Sequence, residues 1–386
     1  KGLNNPTEES LERDLVFVGL VGMIDPPRQE SIEAVRLCEK AGIKAVMITG
    51  DHEMTATAIA KEIGILKEEG LVLTGAELDK ISEEELERIV GDVAVYARVS
   101  PEHKIRIVRA LKAKGHIVAM TGDGVNDAPA LKSSDIGVAM GITGTDVTKE
   151  AAHMVLADDN FATIVNAVEG GRVIYDNIRK FIRFLLACNF DEVLVIGAFA
   201  MANLPLPLTA TMILWINLVT DGGPAVALSM DSPTEDVMER PPRNPREGIL
   251  HGMVPFIVAS FLLQSLGTAF VFCWEYILVG GMRPEFVPKA QTMAFMQTAF
   301  FELIVVWNCR SEKHSMFKTK PWSNRFLVLS VIVSALLTAS LCYVPPLSDM
   351  FKTVSLDIYD WALVLFIASW ALLVTPEIFV RKKRVA

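Results

Sequence analysis

The sequence has 386 residues, of which 51% are hydrophobic and 22% are charged, and its formal net charge at pH 7 is −9. This length allows two domains or more, and the acidic balance, with only short basic clusters, argues against a nucleic acid as partner. Charged residues crowd the first 180 positions and apolar runs fill the rest. The sequence therefore predicts a soluble domain followed by a membrane domain.

In the first half of the chain, short apolar runs alternate with amphipathic segments. Strands are predicted at 15–25, 43–51, 93–99, 136–141 and 153–158, helices at 31–42, 53–65 and 101–115, and a strand, a Gly-rich loop and a helix start within 116–131. Alternation of this kind implies a Rossmann-like parallel sheet, in which ligands collect at the carboxyl ends of the strands.

Polar residues stand at two of these strand ends and on the helix between them. They are Thr49, Gly50 and Asp51; Asp123, Asn126 and Asp127; and Lys104. Nearby carboxylates can hold Mg²⁺, while a hydroxyl and a lysine can hold phosphoryl oxygens. Each feature alone is also typical of a plain turn or a solvated surface. The full set in this order predicts a site for Mg²⁺ and phosphate.

Six apolar runs in the second half approach the ~20 residues that a membrane-spanning helix needs. They lie near 182–203, 208–230, 255–280, 290–309, 325–344 and 359–380. The connections at 240–246 and 310–320, like the tail at 381–384, are basic, whereas the alternate connections are not. The positive-inside rule therefore predicts that the basic set and both ends of the membrane domain face the cytoplasm.

Several of these runs carry oxygen-bearing side chains without a basic residue at matching depth. The first has Asn189, Asp191 and Glu192, the second has Asn217, Thr220 and Asp221, and the fourth has Glu302. A carboxylate at bilayer depth costs at least ~2.5 kcal/mol and needs a partner. Hard oxygen donors spaced i, i+3 and i+4 on one helix face suit Ca²⁺. The alternative is that the acids are protonated and hydrogen-bonded between helices.

Three further expectations concern the residues beside these groups. Asp191 is expected to face away from the side that Asn189 and Glu192 share. The sequence Gly222-Gly223-Pro224 is expected to weaken its helix and free backbone carbonyls beside a cavity. The cysteines show no metal-type spacing and are expected to be small buried hydrophobes that do not line the polar faces. They are Cys38, Cys188, Cys273, Cys309 and Cys342.

Four motifs resemble those of a known family. MITGD (47–51), DPPR (25–28) and TGDGVNDAPAL (121–131) resemble phosphorylation-domain motifs of P-type ATPases, which have the haloacid-dehalogenase-like fold. NLVTDGGPA (217–225) resembles the sixth membrane helix of the type II calcium pumps. Over nearly the whole chain, the resemblance implies the C-terminal part of a phosphorylation domain (1–160), a stalk helix (161–181), six membrane helices equivalent to the fifth to tenth (182–380), and a basic cytoplasmic tail (381–386).

The resemblance also implies roles for single residues. Asp123 would coordinate Mg²⁺, with Asn126 and Asp127 supporting the phosphate site and Asp51 in the same set. Thr49 and Gly50 would hold the phosphoryl group, Lys104 would neutralise it, and Asp25 and Arg28 would lie near ATP. The implied Ca²⁺ ligands are Asn189, Glu192, Asn217, Thr220, Asp221 and Glu302. Asp191 departs from the family, which has a glycine at that position.

The sequence contains neither the DKTGT motif that holds the family's phosphorylated aspartate nor its TGE loop. The resemblance thus implies that this chain is inactive alone. Its partners would be an N-terminal part with the actuator domain, the nucleotide-binding domain and four membrane helices. The expected location is integral to a membrane, multi-pass, with the soluble domain in the cytoplasm, and the plasma membrane if the source is prokaryotic.

Three other functions stay open at this point. The first is a P-type pump for another cation, such as Na⁺/K⁺, H⁺ or Mn²⁺. The second is a membrane-anchored phosphatase with structural acids in its spans, although the missing nucleophile argues against it. The third is a truncated, non-catalytic chain that regulates or complements a full-length pump.

Overall fold

The computed structural model describes residues 15–22 and 26–379. The chain divides into two compact units, one made of Lys1–Glu39 and Lys44–Val165 and the other of Lys40–Ile43 and Asn166–Ala386.

The first unit holds two three-stranded parallel sheets within its described residues. In one sheet, β1 (Met47–Ile48) and β2 (Leu71–Thr74) flank β3 (Val93–Ala97). In the other, β5 (Ile136–Met140) lies between β4 (Ala119–Gly122) and β6 (Met154–Leu156). Because all four strand pairs are parallel, the carboxyl ends of each sheet's strands meet at one edge, as the alternating pattern predicts.

Seven helices connect these strands in the described part of the unit. They are α1 (Gln29–Lys40), α2 (Glu53–Glu62), α3 (Gly75–Leu78), α4 (Glu83–Ile89), α5 (Pro101–Ala113), α6 (Ala128–Ser133) and α7 (Asp146–Ala151). Local chemistry sets the start of α5: the Ser100 hydroxyl accepts a hydrogen bond from the His103 N–H, and Pro101 occupies the first turn. Apolar side chains of α5, including Ile107 and Val108, then pack on the strands.

The predicted strand at 15–25 is wrong over 15–22. These residues form no strand, and Phe17 and Val18 leave most of their side chains exposed. An apolar run becomes a strand only where a neighbouring edge supplies hydrogen-bond partners, and none pairs with these residues in the described structure. Residues 23–25 lie outside the described residues. The sequence analysis also missed β2, a strand of four residues.

The second unit is helical, with four helices long and apolar enough to cross a membrane. They are α8 (Phe161–Met201), α9 (Ala210–Ser229), α10 (Val254–Val279) and α11 (Pro284–Cys309). The first residues of α8, up to Val165, belong to the first unit. Next come α12 (Arg325–Ser340) and α13 (Pro345–Phe351), bent by 85° at their junction, which add a fifth span if counted together. The last two are α14 (Ile358–Leu373), which is shorter, and α15 (Pro376–Phe379).

The length and composition of the described helices thus support four or five spans. The sixth predicted run, 359–380, is divided between α14 and α15. Within the bundle, α11 is the most enclosed helix and contacts α10, α12 and α14. Its residue Glu302 is fully buried for this reason.

A buried charged network surrounds Asp231, two residues after the end of α9. The Asp231 carboxylate accepts hydrogen bonds from Arg310 (2.8 Å), Lys180 (3.0 Å) and Asn324 (3.3 Å). Lys180 belongs to α8, Arg310 follows α11, and Asn324 precedes α12. Burial by itself would raise the pKa of Asp231, but the hydrogen bonds and charges of Arg310 and Lys180 outweigh it and hold the pKa below its usual value. This network joins four helices at one end of the bundle.

We expect Asp231→Asn to destabilise the protein by about 3–5 kcal/mol, because Lys180 and Arg310 would stay buried without a counter-charge. The folded-state pKa of Asp231 is depressed, so its contribution is present above the unfolded value and is lost as pH falls through the folded one. The difference in unfolding temperature between wild type and variant should therefore narrow below about pH 4.

The matched control is Asp236→Asn, because Asp236 pairs with Lys313 (2.6 Å) at a half-exposed position. Such a pair contributes about 0–1 kcal/mol. Equal destabilisation by both substitutions at neutral pH would contradict the role given to the Asp231 network.

Candidate functional site

The first group of polar residues forms a closed turn after β1. The Thr49 N–H donates to the Tyr96 carbonyl (2.9 Å). The hydrogen bonding between β1 and β3 therefore extends one residue beyond the end of β1. The Thr49 hydroxyl donates to Asp51 Oδ2 (2.9 Å) and accepts from the Asp51 N–H (3.1 Å). Gly50, at the tip of this turn, is exposed. The structure thus brings these three predicted residues together.

The second group lies in the loop between β4 and α6, and Asp127 organises it. Its Oδ2 accepts from the backbone N–H groups of Asp123 and Gly124 (3.3 Å each), and its Oδ1 accepts from Lys104 Nζ (2.5 Å). The Asp127 carboxylate is buried, whereas the side chains of Asp123 and Asn126 are exposed. Asp127 therefore holds the loop, and the Asp123 carboxylate is left open to solvent.

The loop depends on a close approach between Gly122 and Asp127. A Cβ added to Gly122 would lie 2.5 Å from Asp127 Cβ and 2.9 Å from its Oδ2. A Cβ on Gly124 would find Asp127 Oδ2 at 3.7 Å, an ordinary contact. The first glycine of the T-G-D-G sequence is therefore needed for packing, and the second tolerates a side chain.

A shared apolar cluster relates the two loops. Ile48, the last residue of β1, and Met120, in β4, pack in one cluster with Val108 of α5. Ile105, next to Lys104, contacts the same cluster. The residues that precede the turn and the loop, and the residue next to Lys104, thus pack in the same apolar cluster.

The resemblance places two further residues, Asp25 and Arg28, near ATP. Arg28 donates to the Asp159 carbonyl (3.2 Å). No contact of Arg28 with the turn or the loop occurs in the described part of the unit. Asp25 lies outside the described residues.

In the second unit, polar side chains of three helices meet. Residues Ile216–Asp221 of α9 form a π-helical segment, which holds all three predicted polar residues of that helix. Asn217 Nδ2 donates to the Glu192 carboxylate of α8 (3.0 and 3.2 Å). The Thr220 hydroxyl donates to Glu302 Oε2 of α11 (3.2 Å). Tertiary structure therefore joins Glu192, Asn217, Thr220 and Glu302, as expected.

Sequence reasoning missed three members of this cluster. Gln264 of α10 donates to Glu302 Oε1 (3.0 Å), and Ser265 donates to Asp191 Oδ1 (2.5 Å). Cys188 lies beside Asp221 and Glu302, with the three ligand atoms within 4.8 Å of one another. The spacing of Cys188 and Glu192, i and i+4, was the available signal. The helix α10 was predicted as the apolar run 255–280, but nothing in the sequence indicated that its few polar residues join the cluster.

Four carboxylates in this region have no basic partner within the described structure. Asp191, Glu192, Asp221 and Glu302 are buried, and none takes part in an ion pair there. Arg183 instead donates to the backbone carbonyls of Asn308, in the last turn of α11, and of Ser311, just after it. Asp221 Oδ1 and Asp191 Oδ2 accept no hydrogen bond in the described part of the chain. Because unpartnered buried carboxylate oxygens are costly, a bound cation would satisfy this cluster.

Asp191 is fully buried and bonded to Ser265 of α10, whereas Glu192 is bonded to Asn217 of α9, so the two acids of α8 face different neighbouring helices. Asn189 donates to the Leu185 carbonyl of its own helix (2.8 Å) and makes no hydrogen bond to the cluster in the described structure. The Gly-Gly-Pro sequence directly follows the π-helical segment, and α9 continues as a helix to Ser229.

The irregularity in α9 has an identifiable cause. Pro224 has no N–H to donate to the preceding turn, and the Val219 carbonyl instead accepts from the Ser334 hydroxyl of α12 (2.7 Å). A Cβ on Gly223 would lie 2.5 Å from Ser330 Oγ, so this glycine allows α12 to approach. The helix α9 thus continues without a break, because a hydrogen bond from α12 replaces the one that Pro224 cannot donate.

Fold and site together define a class: a haloacid-dehalogenase-like α/β unit linked in sequence to helices that can cross a membrane. Residues 3–135 match the haloacid dehalogenase-like hydrolase family. Residues 205–382 match the family described as cation transporting ATPase, C-terminus. The two matches cover different parts of the chain, one like a haloacid dehalogenase-like hydrolase and one like the C-terminus of a cation transporting ATPase.

Relatives that are named as calcium-transporting ATPases align with nearly all of the chain. It is 50% identical, over 99% of its length, to a calcium-transporting ATPase of Bacillus subtilis. It is 45% identical over 98% to calcium-transporting ATPase 1 of Bacillus cereus, and 41% identical over 96% to the human calcium-transporting ATPase type 2C member 1. The chain spans 43%, 44% and 40% of these relatives' lengths, respectively.

Gly122→Ala tests the loop after β4. We expect it to lower the free energy of unfolding by about 1–3 kcal/mol, because the new Cβ displaces Asp127 and its bond to Lys104. Gly124→Ala is the control, since its Cβ meets ordinary contacts and its φ of −94° suits alanine. Calorimetric unfolding of the complete native protein measures both, and equal stability of the two variants would show that the close approach is unimportant.

Proposed function

We propose that this chain is the C-terminal part of an ATP-driven calcium pump, which moves Ca²⁺ out of the cytoplasm through an aspartyl-phosphate cycle. The observation that carries the proposal is the cluster of four buried carboxylates without a basic partner in the described structure. The calcium-transporting relatives support it. On this proposal, residues 1–160 belong to the phosphorylation domain, 161–181 to a stalk helix, 182–380 to the membrane domain and 381–386 to a basic tail.

Ca²⁺ is the cargo that the chemistry of the cluster favours. Carboxylates, amides and hydroxyls are hard oxygen donors, and Ca²⁺ takes six to eight of them in flexible arrangements. We propose Glu192, Asn217, Thr220, Asp221 and Glu302 as ligands, with Asn189 joining from the face of α8 that carries Glu192. The hydrogen bonds that now link Asn217 to Glu192 and Thr220 to Glu302 would be exchanged for bonds to the ion.

The π-helical segment suits such an exchange. Its wider turn places Asn217, Thr220 and Asp221 together while shifting the backbone hydrogen bonds by one residue. Segments of this kind are found frequently at functional sites. A helix that already departs from the regular ladder can change its pairing at small cost when cargo binds or leaves.

The first unit is proposed to hold the phosphoryl group and Mg²⁺. The donor set fits Mg²⁺, because the Asp123 carboxylate is exposed, whereas Asp127 is engaged by Lys104 and two backbone N–H groups. Asp123 would thus hold the ion, with Asn126 beside it and Asp127 fixing the loop. When bound, Mg²⁺ neutralises negative charge on the phosphoryl oxygens.

The other polar groups of this unit would act on the phosphoryl group itself. The Thr49 hydroxyl and the Gly50 N–H would orient its oxygens, and Asp51 holds the Thr49 hydroxyl in place. The Lys104 ammonium adds positive charge next to the Asp123 loop. Asp25 and Arg28 are proposed to lie near ATP. The phosphorylated aspartate, the actuator and nucleotide-binding domains and four more helices would belong to the rest of the pump.

Cation affinity would change with phosphorylation. If the phosphorylated and unphosphorylated states bind Ca²⁺ differently, the ion is released when the state changes, and the coupling is reciprocal. We propose α8 as a coupling element, because this 41-residue helix begins at Phe161 and carries Glu192.

We also propose six spans and a cytoplasmic orientation for both ends. The bent pair of α12 and α13 would form the fifth span, and α14 with α15 the sixth. The basic connections at 240–246 and 310–320 would face the cytoplasm. In a prokaryotic source the membrane would be the plasma membrane.

Asp221→Asn tests the function in the complete native protein. Removing one charged ligand from the fully buried cluster should lower Ca²⁺ affinity by about a hundredfold. Ca²⁺-dependent phosphorylation by ATP should then be lost at micromolar Ca²⁺. Radiolabelled phosphoenzyme and Ca²⁺ uptake into vesicles measure these effects.

Asp349→Asn is the matched control, because Asp349 is exposed on α13. Both variants should still bind a fluorescent ATP analogue, which shows that they are folded. A normal Ca²⁺-activated phosphoenzyme in Asp221→Asn would refute the assignment of this cluster as the cargo site.

A further inference from the structure

The sulfur atom of Cys188 lies beside two of the four buried carboxylates. Cys188 Sγ and one carboxylate oxygen each from Asp221 and Glu302 lie within 4.8 Å of one another. These side chains come from α8, α9 and α11, and at most 1% of each residue is exposed. In the described part of the chain, no other group of three or more His, Cys, Asp or Glu residues is placed to hold a metal ion.

The common role of a buried cysteine is that of a small apolar side chain. Cys188 does contact an apolar cluster that includes Phe184 and Phe301. Packing alone, however, does not account for two carboxylates beside the thiol. Asp221 Oδ1 is buried and accepts no hydrogen bond in the described structure, so this oxygen can serve as a ligand for a cation.

Helix geometry places the thiol on the cargo side. Cys188 and Glu192 are four residues apart on α8 and therefore share one face. Cys309 is buried in the same apolar cluster but is not part of the group that Cys188 forms with Asp221 and Glu302. Cys342 packs in a separate apolar cluster with Leu341 and Phe351. Cys188 thus differs from these two cysteines in facing acidic ligands.

We propose that Cys188, Asp221 and Glu302 form a mixed sulfur–oxygen corner of the cation site, which binds thiophilic divalent cations such as Cd²⁺ and Zn²⁺. This inference rests on the proposed function in so far as the same cluster carries Ca²⁺. Soft thiolate ligands select such metals, whereas Ca²⁺ prefers oxygen donors. Ca²⁺ would use the oxygens alone, and Cys188 would decide which other divalent cations enter.

The thiol changes its protonation on binding. The thiolate is the form that ligates a metal, so each thiophilic ion bound at this corner replaces the Sγ proton, which is released to solvent. No oxidant or reductant takes part. The order of affinity gained from the sulfur atom should be Cd²⁺ above Zn²⁺, then Mn²⁺, with no gain for Ca²⁺.

The test uses the complete native protein in detergent, with Cd²⁺ alone as probe. We expect a sulfur-to-cadmium charge-transfer absorption in the ultraviolet that saturates at one equivalent and is absent from Cys188→Ser. We also expect Cd²⁺ affinity to fall about tenfold or more in this variant, because one ligand is lost. Ca²⁺ affinity, measured with radioactive Ca²⁺, should stay within about twofold, since cysteine is not its ligand.

Two further variants keep the test decisive. Cys188→Ala preserves a small apolar side chain within the cluster of Phe184 and should behave like the serine variant, even if serine disturbs packing. Cys342→Ser should retain the full absorption, because Cys342 lies in the other apolar cluster.

The outcomes separate this inference from the proposed function. An absorption that is missing in the wild type, or that persists in both Cys188 variants, overturns the sulfur–oxygen corner. If the wild type binds Ca²⁺ but shows no cadmium–sulfur absorption, only the sulfur–oxygen corner is refuted. If the wild type shows the absorption but neither binds nor transports Ca²⁺, the sulfur–oxygen corner stands and the proposed calcium function is refuted.

Discussion

The burial of four carboxylates among apolar helices is the constraint on which the second unit depends. Charges in such surroundings are costly unless a cation or hydrogen bonds compensate them. Side chains of α9 and α10 supply part of that compensation: Asn217 to Glu192, Thr220 and Gln264 to Glu302, and Ser265 to Asp191. The remaining unpartnered oxygens, above all Asp221 Oδ1, give the cluster its affinity for a positive charge.

The surrounding structure keeps these groups in place and, within the described residues, gives them no basic side chain as a partner. Arg183 is directed to the end of α11 and therefore does not neutralise the acids. The Asp231 network joins four helices ten residues beyond Asp221. The carboxylate at the end of the bundle thus has two basic partners, whereas the four carboxylates at its centre have none in the described structure. This contrast is what a site that binds and releases a cation requires.

The first unit follows a different physical logic. Its polar groups stand at the carboxyl ends of parallel strands, where backbone and side-chain donors converge at one edge. The Asp127 carboxylate accepts three hydrogen bonds and holds the loop together, whereas the Asp123 carboxylate is exposed to solvent. The motif TGDGVNDAPAL predicts that both acids matter. The division of labour between them emerges only when the loop is folded around Gly122.

The sequence by itself determined the two classes of structure and predicted most of the candidate site residues, because strand–helix alternation, apolar run length and i, i+4 spacing are local properties. It did not determine the burial of Asp191, the π-helical turn of α9 or the partners Gln264 and Ser265. Nor did it reveal that residues 15–22 form no strand. These depend on which helices and edges meet, and contacts between distant segments are decided only by packing in three dimensions. The same reason explains why Cys188, one cysteine among five, became a ligand candidate only beside Asp221 and Glu302.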